Sequence, residues 1–150
     1  SSFGLGVPEQ ENKAIDFFKK NNLQGPIFNN YDIGGYLIFH LFPQEKVFVD
    51  NRPETYPPNF FQNVYVPMQE DEQIWGEKSV EYNFNAIIFY LHDATPWGQK
   101  FLITRVQDKN WVPVFADNFI IIFLKKNELN KEVIKKFEMS QEMFRITQPE

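Results

Sequence analysis

The sequence predicts an α/β fold: a three-layer α/β/α sandwich with a mostly parallel sheet of about five strands and an antiparallel C-terminal hairpin at its edge. Three observations predict it. Helix-type and strand-type segments alternate along the chain. The strand-type runs are almost continuously apolar, as strands covered on both faces are. The last two of them are joined only by Asp117-Asn118, a connection so short that it permits only antiparallel pairing. At 150 residues the chain fits a single domain, 1–150, with 1–8 reading as a linker or tag remnant and 127–150 as a C-terminal helix.

Taken in order, residues 9–20 (EQENKAIDFFKK) place acids first and lysines last and group Ala14, Ile15, Phe17 and Phe18 on one face. That is an amphipathic helix aligned with its dipole. Asn21 to Pro26 break it, and Ile27-Phe28 begin a short strand that ends in Asn29-Asn30. From Asp32, positions 33, 36, 37, 40 and 41 follow helical spacing, with His40 completing the stripe and Pro43 stopping the run. Ile38, Phe39 and Phe42 fill its other sides, so this helix is expected to be covered nearly all round. Lys46-Val47-Phe48-Val49-Asp50 reads as a buried parallel strand that closes a right-handed βαβ unit with the first.

The segment 53–72 holds four of the ten prolines and reads as loop, with a helical turn around 59–65. Residues 71–82 carry Ile74, Trp75 and Val80 on a short helix, and NAIIFYL (85–91) is the clearest strand. A helix begins near Pro96, because proline suits a first helical turn. Residues 111–117 and 118–126 are the hairpin strands; Pro113 has no N–H for the ladder and requires an edge or a bulge. The tail after Asn127 sets Leu129, Val133, Ile134, Phe137 and Phe144 on an amphipathic helix whose lysines read as a solvated face.

Composition removes several classes of function. A net charge of −5 disfavours a partner rich in phosphates, so no nucleic acid is expected. The absence of cysteine excludes disulfides, thiolate catalysis and cysteine-based metal centres. The longest apolar run, Phe119 to Leu124, falls far short of the ~20 residues of a membrane-spanning helix. An aromatic load of 17 Phe, six Tyr and three Trp predicts a core built largely of rings.

In an open α/β sheet, ligands bind beyond the carboxyl ends of the strands. The sequence sets there Asn29, Asn30, Tyr31 and Asp32, then Asp50, Asn51 and Arg52, then His92 and Asp93, with Asp117 at the hairpin. Asp32 is placed to cap the helix that follows, and Gly34 and Gly35 allow close approach to a strand or a ligand. Their spacing is neither G-x-G-x-x-G nor a Walker loop. Asp50 and Arg52 suit either a salt-bridged turn stiffened by Pro53 or a binding lip. His40 reads as a core histidine. His92 and Asp93 are adjacent, and neighbours in sequence rarely face each other. No nucleophile elbow accompanies them.

The pair of motifs Asn30-Tyr31-Asp32 with Gly34-Gly35-Tyr36, and Val47-Phe48-Val49-Asp50 with Arg52 and Tyr56, within a match over about residues 13–127, resembles the soluble C-terminal portion of multi-span membrane proteins. These are similar to lipid-sugar-dependent glycosyltransferases of the protein mannosyltransferase and oligosaccharyltransferase type. The chain departs from their pattern at Asn51, where members often carry Gly, and near Phe39 and His40, where Trp or Arg is frequent. The resemblance implies an extracytoplasmic domain, periplasmic or at the cell surface, partnered by the membrane-embedded portion of the same polypeptide. It implies no catalytic residue within this stretch.

The leading expectation is therefore a non-catalytic accessory domain that needs neither cofactor nor metal and positions a glycan, a lipid-linked sugar or an acceptor. Its binding residues are expected to be Asn30, Tyr31, Asp32, Gly34, Gly35, Asp50, Arg52 and Tyr56. One alternative is a metal-assisted hydrolase using Asp32, Asp50 and Asp117 as oxygen ligands. The other is an interaction scaffold that docks through exposed aromatics in 53–68.

Overall fold

The computed structural model describes residues 12–50 and 56–144. The chain runs through α1 (Lys13–Lys20), β1 (Ile27–Asn29), a 3-10 turn (Tyr31–Ile33), α2 (Gly34–Leu41), a π-helical turn (Phe61–Tyr65), α3 (Val66–Glu70) and α4 (Glu72–Glu81). It continues through β2 (Ala86–Tyr90), α5 (Pro96–Val106), β3 (Trp111–Ala116), β4 (Ile120–Lys125), α6 (Lys131–Phe137) and a 3-10 turn (Gln141–Phe144).

Local chemistry sets the helix ends. Asn22 and Asn83 take left-handed backbone (φ 53° and 54°) just past α1 and α4. In each case the next residue bonds back into the helix: Leu23 N–H donates to Phe18 O, and Phe84 N–H to Ser79 O, both at 3.0 Å. Asparagine tolerates this conformation better than most residues, and the bond satisfies an orphan carbonyl. At the start of α4, the Asp71 carboxylate accepts from Gln73 N–H and Ile74 N–H; Thr95 caps α5 through Gly98 N–H, with Pro96 in the first turn.

The chain is α/β with a mixed, open four-stranded sheet in the order β1-β2-β4-β3. Only β1 and β2 are parallel (Phe28 beside Ile87); β2 with β4 and β3 with β4 are antiparallel. The expected mostly parallel sheet of five strands is therefore corrected. The reason is the position of the hairpin, which folds back so that β4 lies against β2 in the interior and β3 takes the edge. Pro113 falls on that edge strand beside an irregularity between Pro113 and Phe115, as its missing N–H requires.

The second correction concerns 46–50, which form no strand. The Asn29 side chain takes the place that a strand's backbone would fill. Its Nδ2 donates to Val49 O at 2.7 Å, while Oδ1 accepts from Phe48 N–H at 2.8 Å and from Val49 N–H at 3.4 Å. A carboxamide carries the same donor and acceptor as a peptide group, so one side chain satisfies the segment without a ladder. The βαβ partner of β1 is consequently β2.

Three further expectations shift. The segment 61–70 is helical rather than mostly loop. The C-terminal helix is not continuous: α6 ends at Phe137, and Met139 N–H leaves to donate to Pro113 O at 2.9 Å. Helix α2 is not covered all round, since Phe39 is 69 % exposed and Phe42, just beyond it, 59 %. Residues 1–8, the start of the expected 9–20 helix, and 145–150 of the expected tail helix lie outside the described residues.

Alternate sheet positions feed two apolar clusters. Ala86, Ile88, Ile120, Ile122 and Leu124 pack with Ile15 and Phe18 of α1, Leu37 of α2 and Ile134 of α6. Phe28, Ile87, Phe89, Ile121 and Phe123 pack with Met68 of α3, Trp75 of α4 and Phe101 of α5. Phe28 alone has ring neighbours at 5.1 Å (Phe101), 5.2 Å (Trp75) and 5.5 Å (Phe48 and Phe84). The fully buried Arg105 lies against both Trp75 and Phe101, 4.7 Å from each ring centre, and is paired with Glu72 and Asp108. Nothing in the sequence pattern marks that guanidinium as a core element.

Candidate functional site

Because β1 and β2 are parallel, their carboxyl ends share one side of the sheet, and the loops that follow them meet there. Asn30, buried after β1, reaches the loop after β2. Its Nδ2 donates to Asp93 Oδ2 at 3.0 Å and to Tyr90 O at 3.2 Å, and its Oδ1 accepts from Tyr90 N–H at 2.9 Å. The other oxygen of Asp93 accepts from Thr95 N–H at 2.9 Å and from the Thr95 hydroxyl at 2.6 Å. Three donors thus hold a carboxylate that is only 3 % exposed. Such bonding fixes the carboxylate in place.

Beyond this clasp lies a cavity of ≈330 Å³ lined by Tyr31, Asp32, Phe61, Tyr65, Val66, Asp93, Thr95 and Trp97. Tyr31 N–H donates to the Tyr65 hydroxyl at 2.8 Å, fixing one wall. The rings meet edge to face, Tyr31 with Phe61 at 5.5 Å and Phe61 with Tyr65 at 5.2 Å. The π-helical turn Phe61–Tyr65 contributes two of the walls, and Trp97 in the first turn of α5 contributes another.

Asp32 is solvent-accessible at this cavity and lies within the 3-10 turn. It does not cap α2: neither the turn nor the helix has a side-chain cap. The expectation of an N-cap is corrected, because the turn already places Ile33 in helical backbone at the head of α2. The carboxylate is left toward the cavity, with no hydrogen-bond partner among the described residues. Partial burial, and then the negative charge of Asp93, push its pKa above the usual carboxylate value. Tyr65 is raised as well, mainly by burial, against the lowering effect of the bond from Tyr31 N–H and with a smaller upward push from Asp93. Tyr90 is raised by burial and by Asp32.

The two motif corners are neighbours. A Cβ on Gly34 would sit 2.2 Å from Val49 O and 2.6 Å from Asp50 Cα, so glycine there permits backbone-to-backbone contact. Gly35 follows in the first turn of α2, half-buried. Asp50, 3 % exposed, donates its backbone N–H to the Tyr56 hydroxyl at 2.6 Å, and Tyr56 stacks on Phe60 at 5.0 Å. Of the expected binding residues, Tyr31 and Asp32 therefore line the cavity. Asn30 orients Asp93, Gly34 packs the corner, and Asp50 and Tyr56 stand behind the aromatic wall. Asn51 and Arg52 lie outside the described residues.

The metal alternative loses its geometry. Among the described residues, no three His, Asp or Glu side chains gather as a metal-binding group. Asp117 is committed to the hairpin, accepting from Phe119 N–H and Ile120 N–H at 2.8 Å each. The scaffold alternative loses its aromatics, since Phe60 and Phe61 are half-buried and Tyr65 is buried. His92 bonds Asn118 O at 2.8 Å while Asp93 faces Asn30, so these adjacent residues do diverge. His40 packs on Tyr36 at 4.6 Å. Phe61, Tyr65, Thr95 and Trp97 were not signalled as site residues; the one cue was Thr95-Pro96-Trp97 at a helix start beside a strand end. Compared with protein-family models, with curated proteins and with solved structures, the chain matches none.

Proposed function

We propose that this chain is a non-catalytic, extracytoplasmic accessory domain of a membrane-embedded, glycosyltransferase-like protein, and that its strand-end cavity positions a sugar or an acceptor. The observation that carries the reading is the cavity itself, lined by the aromatic residues Tyr31, Phe61 and Trp97 together with Asp32 and Asp93. Rings pack against the C–H faces of sugars, and carboxylates accept from their hydroxyls. In this reading the two helical groups are the outer layers of an α/β/α sandwich and the cavity opens at its lip.

The membrane attachment rests on the resemblance of the two motifs, and the exposed Phe39 and Phe42 support a surface that docks on the membrane-embedded portion of the same polypeptide. The full-length reading frame tests attachment: hydrophobic segments of ~20 residues upstream are expected, and their absence contradicts it. Isothermal titration with mono- and oligosaccharides and nucleotide-sugars tests the cavity. Saturable heat that is lost in Trp97→Ala is expected; no heat with any of them contradicts the reading.

A further inference from the structure

Resting on the reading of the cavity as a binding site, we propose that the group it selects is a protonated amine: the ammonium of an amino sugar or of another amine-bearing acceptor. The argument begins with the inventory of lining groups. Tyr31, Phe61, Tyr65 and Trp97 supply four rings, and Asp32 and Asp93 supply two carboxylates; no Lys, Arg or His lines the cavity among the described residues.

The rings stand as walls. Tyr31 and Phe61 meet at an interplanar angle of 73°, and Phe61 and Tyr65 at 71°. A cation seated over the face of such a ring is attracted by its electron density, as a neutral or anionic group is not.

The polar groups agree. Thr95 is already committed, donating its hydroxyl to Asp93 and accepting from Gly98 N–H at 3.1 Å. The Tyr65 hydroxyl already accepts from Tyr31 N–H. Asp93 is held by three donors, whereas Asp32 has no donor among the described residues. What the described lining lacks is a positive charge that carries N–H groups. A phosphate or pyrophosphate would meet two carboxylates and no cation among the described residues of the lining, which disfavours the phosphate-bearing end of a lipid-linked sugar there.

An ammonium satisfies both sides at once. It donates to Asp32, with the buried charge of Asp93 nearby, and it lies against the rings. A free amino group on the ligand is required, because acetylation removes the charge and leaves one donor.

The test is a matched series titrated calorimetrically into the whole chain: D-glucosamine, D-glucose, N-acetyl-D-glucosamine, glucose 1-phosphate and n-butylammonium. Glucosamine is expected to bind about tenfold more tightly than glucose or N-acetylglucosamine, the range of a partly desolvated cation over rings. Asp32→Asn is expected to erase that preference, and Trp97→Ala to weaken glucosamine binding. Both variants are to be checked for an unchanged circular dichroism spectrum. If n-butylammonium binds as tightly as glucosamine, the amine inference holds and the sugar reading fails. Equal affinities for glucosamine and glucose, or tighter binding of glucose 1-phosphate, overturn the amine inference and leave the sugar reading standing. No binding by any of the five overturns both.

Discussion

Replacing Gly34 with alanine tests the corner that joins the two motifs. The new methyl would lie 2.2 Å from Val49 O and 2.6 Å from Asp50 Cα. Both obstacles are backbone, and the segment that carries them is held by the Asn29 carboxamide, so neither can rotate aside. Overpacking of this kind destabilises by about 1–3 kcal/mol, with backbone obstacles at the upper end. Alanine's better helix propensity offsets at most ~1 kcal/mol. The net expectation is a loss of about 2 kcal/mol, or a fall in Tm of about 4–8 °C for a chain of this size.

Gly76→Ala supplies the contrast, because a Cβ there meets nothing within 4 Å in the middle of α4. It is expected to gain about 0.5–1 kcal/mol. Urea melts and thermal scans followed by circular dichroism read both. A Gly34→Ala chain as stable as the parent, or two variants that shift in the same direction, would refute the packed corner.

Other perturbations have equally definite signs. Asp32 has a raised folded pKa, so its ionisation weakens the fold; that loss is absent below the unfolded carboxyl value and develops as pH rises through the folded one. Asp32→Asn is therefore expected to raise Tm at pH 7 and to match the parent near pH 3; a lower Tm at pH 7 contradicts a carboxylate partly buried beside the charge of Asp93. Arg105→Ala removes a fully buried side chain from between Trp75 and Phe101 and is expected to destabilise by about 3 kcal/mol or more. Arg105→Met fills most of the space and should recover more than half of that loss in urea melts. Gly98→Ala puts a methyl 2.7 Å from Asp93 Cγ and 2.8 Å from Thr95 Oγ1. It should reduce ligand affinity in titrations by more than it lowers Tm, since the displaced group is the clasped carboxylate.

How much of this was legible in the sequence follows from what each signal encodes. The run Ala86 to Phe89 is apolar at every position, and both faces of β2 are indeed buried. Pro113 announced an edge with an irregularity and stands at one. The segment Lys46–Asp50 carries the composition of a strand without being one, because composition reports burial and not the origin of the hydrogen bonds. Those come from Asn29, twenty residues earlier. The hairpin was visible in Asp117-Asn118, but its insertion beside β2 was not, since a local turn does not say which neighbour a strand will choose.

The site was half legible for the same reason. Strand ends pointed to Asn30, Asp32 and Asp93. The aromatic walls come from a proline-containing stretch read as loop and from a tryptophan whose neighbours in sequence gave only a helix start. Arg105 could not be read at all, because its partners, Trp75 and Phe101, are defined only by packing.

The most direct measurement is a map of where a ligand touches. In nitrogen-15 spectra of the chain titrated with D-glucosamine, the amide signals of Tyr31, Asp32, Phe61, Tyr65 and Thr95 and the indole N–H of Trp97 are expected to move together along one saturation curve. Shifts centred instead on Trp75 and Trp111, or no shifts at millimolar ligand, would contradict a binding site at the ends of β1 and β2.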